Sequence, residues 1–305
     1  MRAAAVLAVL VLTGCGGGGH APAPSPTASA APAATPAAPS DEEAIAGMLD
    51  RRAAALQSAD RRAYVATGGD RVAVARARRL RLRDVEIEPG RIVVHGARAE
   101  ALVAVRYGIA GVRGTFQSTH RFDFVKRGRW RAATVHGRRG RPPWDVATFA
   151  EHRTRHFVVL APPDVPVDDL LAALEDGYAA LRARLEGGRL QRRYLVIAAA
   201  DPAQARALTT QIRGLDTLAA IADAALNEKG PAQAVSAVIS LRLVVVWSAY
   251  ATLGGEGRRR TIAHELTHAA LAGSTSGRTP AWLVEGVAMY VSGDRRPAPP
   301  HPDLA

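Results

Sequence analysis

The sequence predicts an α+β protein with two folded domains, at residues 41–140 and 156–305. In the first, apolar residues at helical spacing give way to segments that alternate apolar and polar side chains, as strands do. In the second, short apolar runs alternate with amphipathic helical stretches. Hydrophobic residues make up 48% of the chain, which is enough for two ordinary cores.

The first 40 residues carry signals of export rather than of folding. Residues 1–14 contain an apolar run, Ala3 to Leu12, which has the length of a signal-peptide core and is too short to span a bilayer. Leu12-Thr13-Gly14-Cys15 resembles the bacterial lipobox, which implies lipidation of Cys15, the only cysteine. Residues 15–40 are then the lipidated cysteine and a disordered Ala/Pro/Gly tether. An ordinary secretory signal with an incidental cysteine is the alternative.

Residues 41–140 are predicted to begin with helices. Ser40 or Asp41 can cap a helix whose first turn carries Glu42 and Glu43 at its favourable end. A second short helix is predicted at Arg61–Val65. Strands follow, divided by turns at Pro89-Gly90 and Arg127-Gly128: Val85–Glu88, Arg91–His95, Ala99–Tyr107, Thr115–Lys126 and Trp130–Val135.

Helices followed by an antiparallel sheet resemble the cone-shaped nuclear transport factor 2-like domain. The resemblance implies a ligand pocket, a dimerisation unit or a spacer. His95, His120 and His136 lie on or beside the strands. No carboxylate at a telling spacing accompanies any of them, so we interpret all three as structural or surface residues.

Residues 141–155 contain Pro142-Pro143 and are interpreted as a linker. The second domain then alternates strands and helices. Strands are predicted at His156–Leu160, Tyr194–Ile197 and Ala234–Tyr250, and helices at Val167–Leu185, Pro202–Leu208 and Leu215–Leu226. A loop at Gly254–Gly257 and a solvated run of arginines, Arg258 to Arg260, should follow.

The motif His264-Glu265-Leu266-Thr267-His268 lies in an apolar, helix-compatible segment. Residues four apart share one face of a helix, so His264 and His268 can direct their rings to one point. Neutral imidazole is a good zinc ligand, and a catalytic zinc takes three protein ligands and keeps one position open. Glu265 lies beside the first ligand, where a carboxylate can accept a proton from water. A solvent-facing helix that carries two histidines by chance is the alternative.

A second helical segment supplies a candidate third ligand. Pro280 opens it at a position suited to a first turn, and Glu285 stands among apolar neighbours. A buried carboxylate without a partner is costly, so Glu285 needs a cation or a strong donor. A zinc site of two histidines and one glutamate would provide that cation.

The two segments together resemble the gluzincin metallopeptidases, and in particular the bacterial peptidase MA-like family. The family pattern is H-E-x-x-H followed by P-x-W-L-x-E-G-x-A, which stands here from Pro280 to Ala288. The resemblance implies a zincin-like domain with a mixed sheet, an active-site helix and a glutamate helix joined by a loop, Gly273 to Thr279. It also implies Glu265 as general base and three zinc ligands: His264, His268 and Glu285.

The same resemblance leads us to expect an edge strand ahead of the motif. Part of Leu241–Ala251 should then offer main-chain hydrogen bonds to an extended peptide, the alternative being a core strand without substrate contact. Gluzincins usually supply an oxyanion donor from beyond the glutamate helix, and we assign this role to neither Tyr250 nor Tyr290. Some members orient a zinc histidine with an aspartate where this chain has Met289, so that partner must come from elsewhere.

The net charge of +12 and the pI near 10.9 raise the question of nucleic acid or membrane binding. The only lysines are Lys126 and Lys229, the arginines are spread over both domains, and no nucleic-acid-binding motif accompanies them. We expect no nucleic-acid partner. A basic surface can still favour contact with anionic lipid.

The sequence therefore predicts a zinc metallopeptidase, lipid-anchored to the outer face of the cell membrane, that hydrolyses peptide bonds with a zinc-activated water and Glu265 as general base. A zinc-binding or scaffold lipoprotein of the cell envelope without peptidase activity is the alternative. We do not expect a serine hydrolase, because the chain contains no G-x-S-x-G motif.

Overall fold

The structure is a computed structural model that describes residues 38–137, 139–185, 190–210, 215, 217–227, 237–275 and 278–293. The chain is α+β, with a four-stranded antiparallel sheet followed by a five-stranded mixed sheet. Both sheets belong to one compact unit, Pro39–Ala305. The predicted signal segment, Cys15 and nearly all of the tether lie outside the described residues. Within those residues, no helix has the length and apolarity needed to cross a membrane.

The first half of the unit is a helical layer on an antiparallel sheet. Its elements are α1 (Asp41–Gln57), α2 (Arg61–Ala66), α3 (Arg71–Ala77), β1 (Leu82–His95), β2 (Arg98–Ile109), β3 (Phe116–Arg127) and β4 (Arg129–His136), with the strands in sequence order. The Ser40 side chain accepts from the Glu43 N–H and the Glu43 carboxylate accepts from the Ser40 N–H. This reciprocal cap explains why α1 begins where the sequence predicts.

The predicted turn at Pro89-Gly90 is wrong, because β1 continues through it with a register shift between Pro89 and Ile92. β1 is the outer strand of its sheet. A proline, which has no N–H to donate, is tolerated in an outer strand or at a bulge. The pattern of two short strands therefore reflects a bulge in one long strand.

The second half builds the mixed sheet and the helices that cover it. Its elements are α4 (Pro143–Val146), β5 (Ala150–Arg153), β6 (Phe157–Ala161), α5 (Asp168–Arg184), β7 (Tyr194–Ala199), α6 (Pro202–Leu208), β8 (Ala220–Asn227), β9 (Ala237–Val246), α7 (Trp247–Tyr250), α8 (Gly255–Leu271) and α9 (Ala281–Ser292). The strand order is β5-β6-β7-β9-β8. β6, β7 and β9 are parallel, while β5 and β8 pair antiparallel at the two edges. The segment interpreted as a linker contains α4 and β5.

Several local predictions in this half are wrong. The strand predicted at Ala234–Tyr250 ends at Val246, and Trp247–Tyr250 forms α7. Leu215–Leu226 was expected to be helical, but Ala220 onward forms β8, so pairing with β9 overrides the helix preference of its alanines. The expected edge strand within Leu241–Ala251 is instead β9, which lies between β7 and β8. Its run of valines is typical of a strand buried on both faces. The expected loop at Gly254–Gly257 is the first turn of α8.

The mixed sheet buries both of its faces. Alternate residues such as Leu195 and Val244 join one apolar core with the first sheet, including Phe124. Their neighbours, such as Val196 and Val245, join a second core with α5 and α8. Because side chains alternate along a strand, every second residue of β8 or β9 faces the first sheet and the residues between them face the helices.

A buried ion pair connects the two sheets. Asp223 on β8 and Arg242 on β9 lie opposite each other, and Arg242 Nε donates to Asp223 Oδ2 at 3.0 Å. Arg242 also donates to Tyr107 Oη on β2 at 3.3 Å and to the Leu208 carbonyl. Thr210 Oγ1 donates to the other Asp223 oxygen at 2.8 Å. The side chains of the pair are only 7% and 4% exposed, so this charge pair is desolvated.

Gly177 on α5 allows α8 to approach closely. A Cβ at Gly177 would lie 3.1 Å from Ile262 Cγ2 and 3.4 Å from Leu266 Cδ1. We expect Gly177→Leu to lower the free energy of unfolding by about 1–3 kcal/mol through overpacking, measured by urea denaturation. Gly47→Leu on α1 is the control, since a Cβ there would meet only Arg51 Nη1 at 3.5 Å. An equal loss in both variants would contradict the packing argument.

Candidate metal centre

The two histidines of the motif are held by a helix whose other face is buried. Ile262 and Leu266 of α8 are fully buried in the core that α8 shares with α5 and the mixed sheet. His264 and His268, one turn apart, line the cleft on the opposite side of this anchor. Their rings make an edge contact with centroids 4.7 Å apart, and their Nε2 atoms are 3.0 Å from each other.

The third candidate ligand comes from α9, which packs beside α8. Pro280 is the N-cap of α9, and the αL residue Gly293 ends it. Glu285 Oε2 lies 3.3 Å from His264 Nε2, and Glu285 Oε1 lies 3.4 Å from His268 Nε2. In the part of the chain that the structure describes, these three residues are the one group of His, Cys, Asp or Glu that could hold a metal ion.

The spacing of these atoms fits a tetrahedral ion. Zinc bonds to imidazole and carboxylate are about 2.0–2.1 Å long, which gives ligand-to-ligand edges of about 3.3–3.4 Å. The three measured separations are 3.0, 3.3 and 3.4 Å. Two imidazoles and one carboxylate are also the ligand set of known catalytic zinc sites. The residues present therefore fit a zinc ion.

The electrostatics of the group favour a bound cation. Hydrogen bonds from His264 and His268 hold the pKa of Glu285 well below its usual range, so Glu285 is ionised at neutral pH. Burial alone would lower the pKa of His268, but the Glu285 hydrogen bond and the charges of Glu265 and Glu285 outweigh it and raise that pKa. The electrostatic potential is therefore negative at the point where the Nε2 atoms of His264 and His268 approach each other.

Glu265 occupies a different position from the three candidate ligands. Burial raises the pKa of Glu265. The charges of His268 and His264 and a hydrogen bond from the Ala222 N–H act to lower it, but burial has the larger effect. That N–H donates to Glu265 Oε2 at 2.7 Å. A half-buried carboxylate with a raised pKa beside a candidate metal-binding group has the properties of a general base.

The cleft in front of the group has a volume of about 750 Å³ and is bordered by β8. Val246 N donates to Ala219 O, so alternate residues of β8 direct their main-chain groups to β9. The register then leaves the main-chain groups of Ala220, Ala222 and Ala224 on the open edge of the sheet. The sequence did not predict this strand. The small side chains of its alanines were the one sequence feature consistent with the close approach of another chain.

Other residues considered from the sequence lie apart from the group. Tyr250 is buried, which raises its pKa to about 12, and Tyr290 is 85% exposed; neither lines the cleft. Met289 lines the cleft but offers no oxygen. His264 Nδ1 is buried and has no hydrogen-bond partner among the described residues. The partner that orients a zinc histidine in many sites is therefore missing from the described part of the chain.

Comparison with protein-family models, curated proteins and solved structures finds no match to this chain. The chemistry assigned to the site must therefore rest on its own residues. The strongest of these observations is that two helices bring His264, His268 and Glu285 together beside a half-buried carboxylate, Glu265.

Proposed function

We propose that this protein is a zinc-dependent metallopeptidase of the gluzincin type, related to the peptidase MA-like family. The observation that carries the proposal is the convergence of His264, His268 and Glu285 at zinc-compatible distances, with Glu265 beside them. A peptide or protein is the substrate, because the cleft is bordered by a strand whose open edge can pair with an extended chain.

The proposal includes the finer architecture. The helical layer on an antiparallel sheet supports a nuclear transport factor 2-like domain, and the mixed sheet with α8 and α9 supports a zincin-like domain. Export and lipid anchoring through Cys15 are part of the same proposal and rest on the sequence, because Cys15 lies outside the described residues.

In the proposed reaction, β8 holds the substrate and Glu265 moves the proton. An extended peptide takes main-chain hydrogen bonds from Ala220, Ala222 and Ala224, which places its backbone along the cleft. Zinc, when bound to the two histidines and Glu285, supplies a Lewis acid that polarises a carbonyl and lowers the pKa of water. Glu265 accepts the proton of the attacking water and donates it to the leaving amine.

A zinc-binding or scaffold lipoprotein without peptidase activity is the second candidate. It is favoured by the chemistry of the cleft walls: no tyrosine, arginine or lysine occurs among the described residues that line the cleft. The described lining therefore offers an oxyanion threonine hydroxyls but no phenol, guanidinium or ammonium donor, and a strong donor is often a large part of catalysis. The intact Glu265 favours the enzyme, since a binding site has no need of a base.

Metal content tests the assignment of the ligands. We expect the full-length chain to bind zinc stoichiometrically, measured by elemental analysis after dialysis. Removing a residue that only supports a metal ligand lowers metal affinity by about 10–100-fold. Removing a ligand itself, as in His268→Ala or Glu285→Ala, should therefore lower zinc affinity further. His95→Ala is the control because His95 is exposed and outside the cleft. Zinc that remains bound in His268→Ala would contradict the site.

A further inference from the structure

A second cavity, of about 230 Å³, lies between helices α1–α3 and strands β3 and β4. It shares no lining residue with the cleft. We call it the arginine pocket and define it by five of its lining residues: Arg52, Arg76, His120, Arg141 and Asp145.

Arg52 brings a buried positive charge to the arginine pocket, with no carboxylate within 4.0 Å of it among the described residues. The residue is 7% exposed, and its guanidinium lies over the ring of Tyr64 at 4.6 Å from the centroid. It donates to Tyr64 Oη at 3.1 Å and to Thr67 O at 3.4 Å. Burial raises the pKa of Tyr64 to about 12, so the phenol is neutral at pH 7 and supplies no counter-charge. A buried charge is ordinarily paired with an opposite one.

Arg76 and Arg141 are half-buried and, like Arg52, donate only to neutral groups. Arg76 Nε donates to Thr148 Oγ1 at 3.4 Å, and Arg141 Nη2 donates to the main-chain oxygen of Asp145 at 2.6 Å. Both acceptors are neutral. None of the ion pairs within 4.0 Å among the described residues includes Arg52, Arg76 or Arg141.

His120 adds an unused polar atom to the wall. The residue is 5% exposed, and its Nε2 has no hydrogen-bond partner among the described residues. Burial, together with the charge of Arg141, lowers the pKa of His120, so the ring is neutral at pH 7. A neutral imidazole has a single N–H, which is engaged with the Gly140 main chain, so Nε2 can accept a hydrogen bond from a water or from a ligand hydroxyl. A buried polar atom without a partner indicates a ligand or water that is needed there.

The carboxylates in the wall do not cancel the positive charge. Asp70 is the N-cap of α3 and accepts from the Val72 N–H. Burial raises the pKa of Asp145, although the positive charges of Arg52 and Arg141 act to lower it. Three guanidiniums thus face at most two carboxylates. The net charge of the wall is positive, and it favours an anion.

We propose that the arginine pocket binds a small oxyanion, such as the carboxylate of an organic acid or a phosphate. Its oxygens accept hydrogen bonds from the guanidiniums of Arg52, Arg76 and Arg141. The forked geometry of guanidinium matches the oxygens of both groups. The volume lies below the range of about 300–1,000 Å³ that is typical of drug-sized ligands, so the ligand is small. This site is independent of the proposed peptidase activity.

Calorimetric titration of the full-length chain with malonate and with inorganic phosphate tests the proposal and separates the two oxyanion classes. Chloride at equal ionic strength is the reference anion. We expect at least one oxyanion to bind and chloride not to compete. The titrations are repeated in His268→Ala, because an oxyanion can also bind a zinc ion. Binding that persists there assigns the signal to the arginine pocket, and binding that disappears there overturns the proposal.

Variants localise the binding. Loss of a hydrogen bond to a charged group costs about 1.5–3 kcal/mol, so Arg52→Gln and Arg141→Gln should each weaken binding about tenfold or more. Arg113→Gln removes the same charge from an exposed position outside the pocket and should leave binding unchanged. In the wild type, the ring nitrogen resonances of His120 should shift on titration, a readout that needs no variant. Unshifted His120 resonances, or equal weakening in Arg113→Gln, would refute the site.

Discussion

Glu265→Gln is expected to lower kcat/KM for peptide cleavage by about 10²–10⁴-fold, the contribution that a positioned general base usually makes. Glutamine keeps the size and the hydrogen-bonding oxygen of the side chain, so the contact with the Ala222 N–H can persist. It cannot accept a proton at neutral pH. Cleavage of a quenched fluorescent peptide library measures the loss, and elemental analysis checks that zinc content is unchanged.

The control for this variant is Glu256→Gln, which changes an exposed carboxylate of the same helix, 67% exposed and paired with Arg260. Its activity should stay within about twofold, because exposed ion pairs contribute little. Cleavage that survives Glu265→Gln, or a wild-type chain with bound zinc that cleaves nothing in the library, rules out the peptidase and leaves the zinc-binding lipoprotein.

The second large effect concerns the ion pair between the sheets. Asp223→Ala leaves the Arg242 guanidinium buried without a counter-charge, so we expect the free energy of unfolding to fall by about 3–5 kcal/mol. Urea denaturation followed by circular dichroism measures it. Because Asp223 adjoins Ala222 on the strand that borders the cleft, any remaining activity should fall as well.

Two further variants decide the cause of that loss. Asp123→Ala removes a carboxylate from β3 that is 37% exposed and pairs with His136 and Arg121, and it should cost less than about 1 kcal/mol. The double variant Asp223→Leu with Arg242→Met removes both charges and should recover much of the lost stability. A single Asp223→Ala variant as stable as wild type would show that the pair is not essential to the fold.

Of the three candidate ligands, His264 and His268 were predictably close, because their proximity depends on short-range geometry alone. His264 and His268 share a helix face by spacing alone. For Glu285 we assumed a buried carboxylate that needs a cation, but its side chain is 46% exposed, so burial does not require one. The structure brings the three together. The sequence does not specify the contact between α8 and α9, and the family pattern supplied that expectation.

The strand beside the cleft could not be predicted in the same way. Ala220, Ala222 and Ala224 have high intrinsic helix propensity, and their strand conformation depends on pairing with β9, which the local sequence does not reveal. The arginine pocket was missed for a related reason. Arg52 and Arg141 are 89 positions apart in the sequence. The periodicity of a helix or strand does not relate residues so far apart, and only the fold brings them to one cavity.

The hydrogen bond between the Ala222 N–H and Glu265 has a consequence for the resting protein. One N–H cannot serve two acceptors fully, so a chain that docks along β8 competes with Glu265 for it. Under the proposed function, arrival of such a chain releases Glu265 Oε2 when a proton acceptor is needed. Until then one of the two carboxylate oxygens is engaged by β8, so docking of a chain and availability of the base are linked.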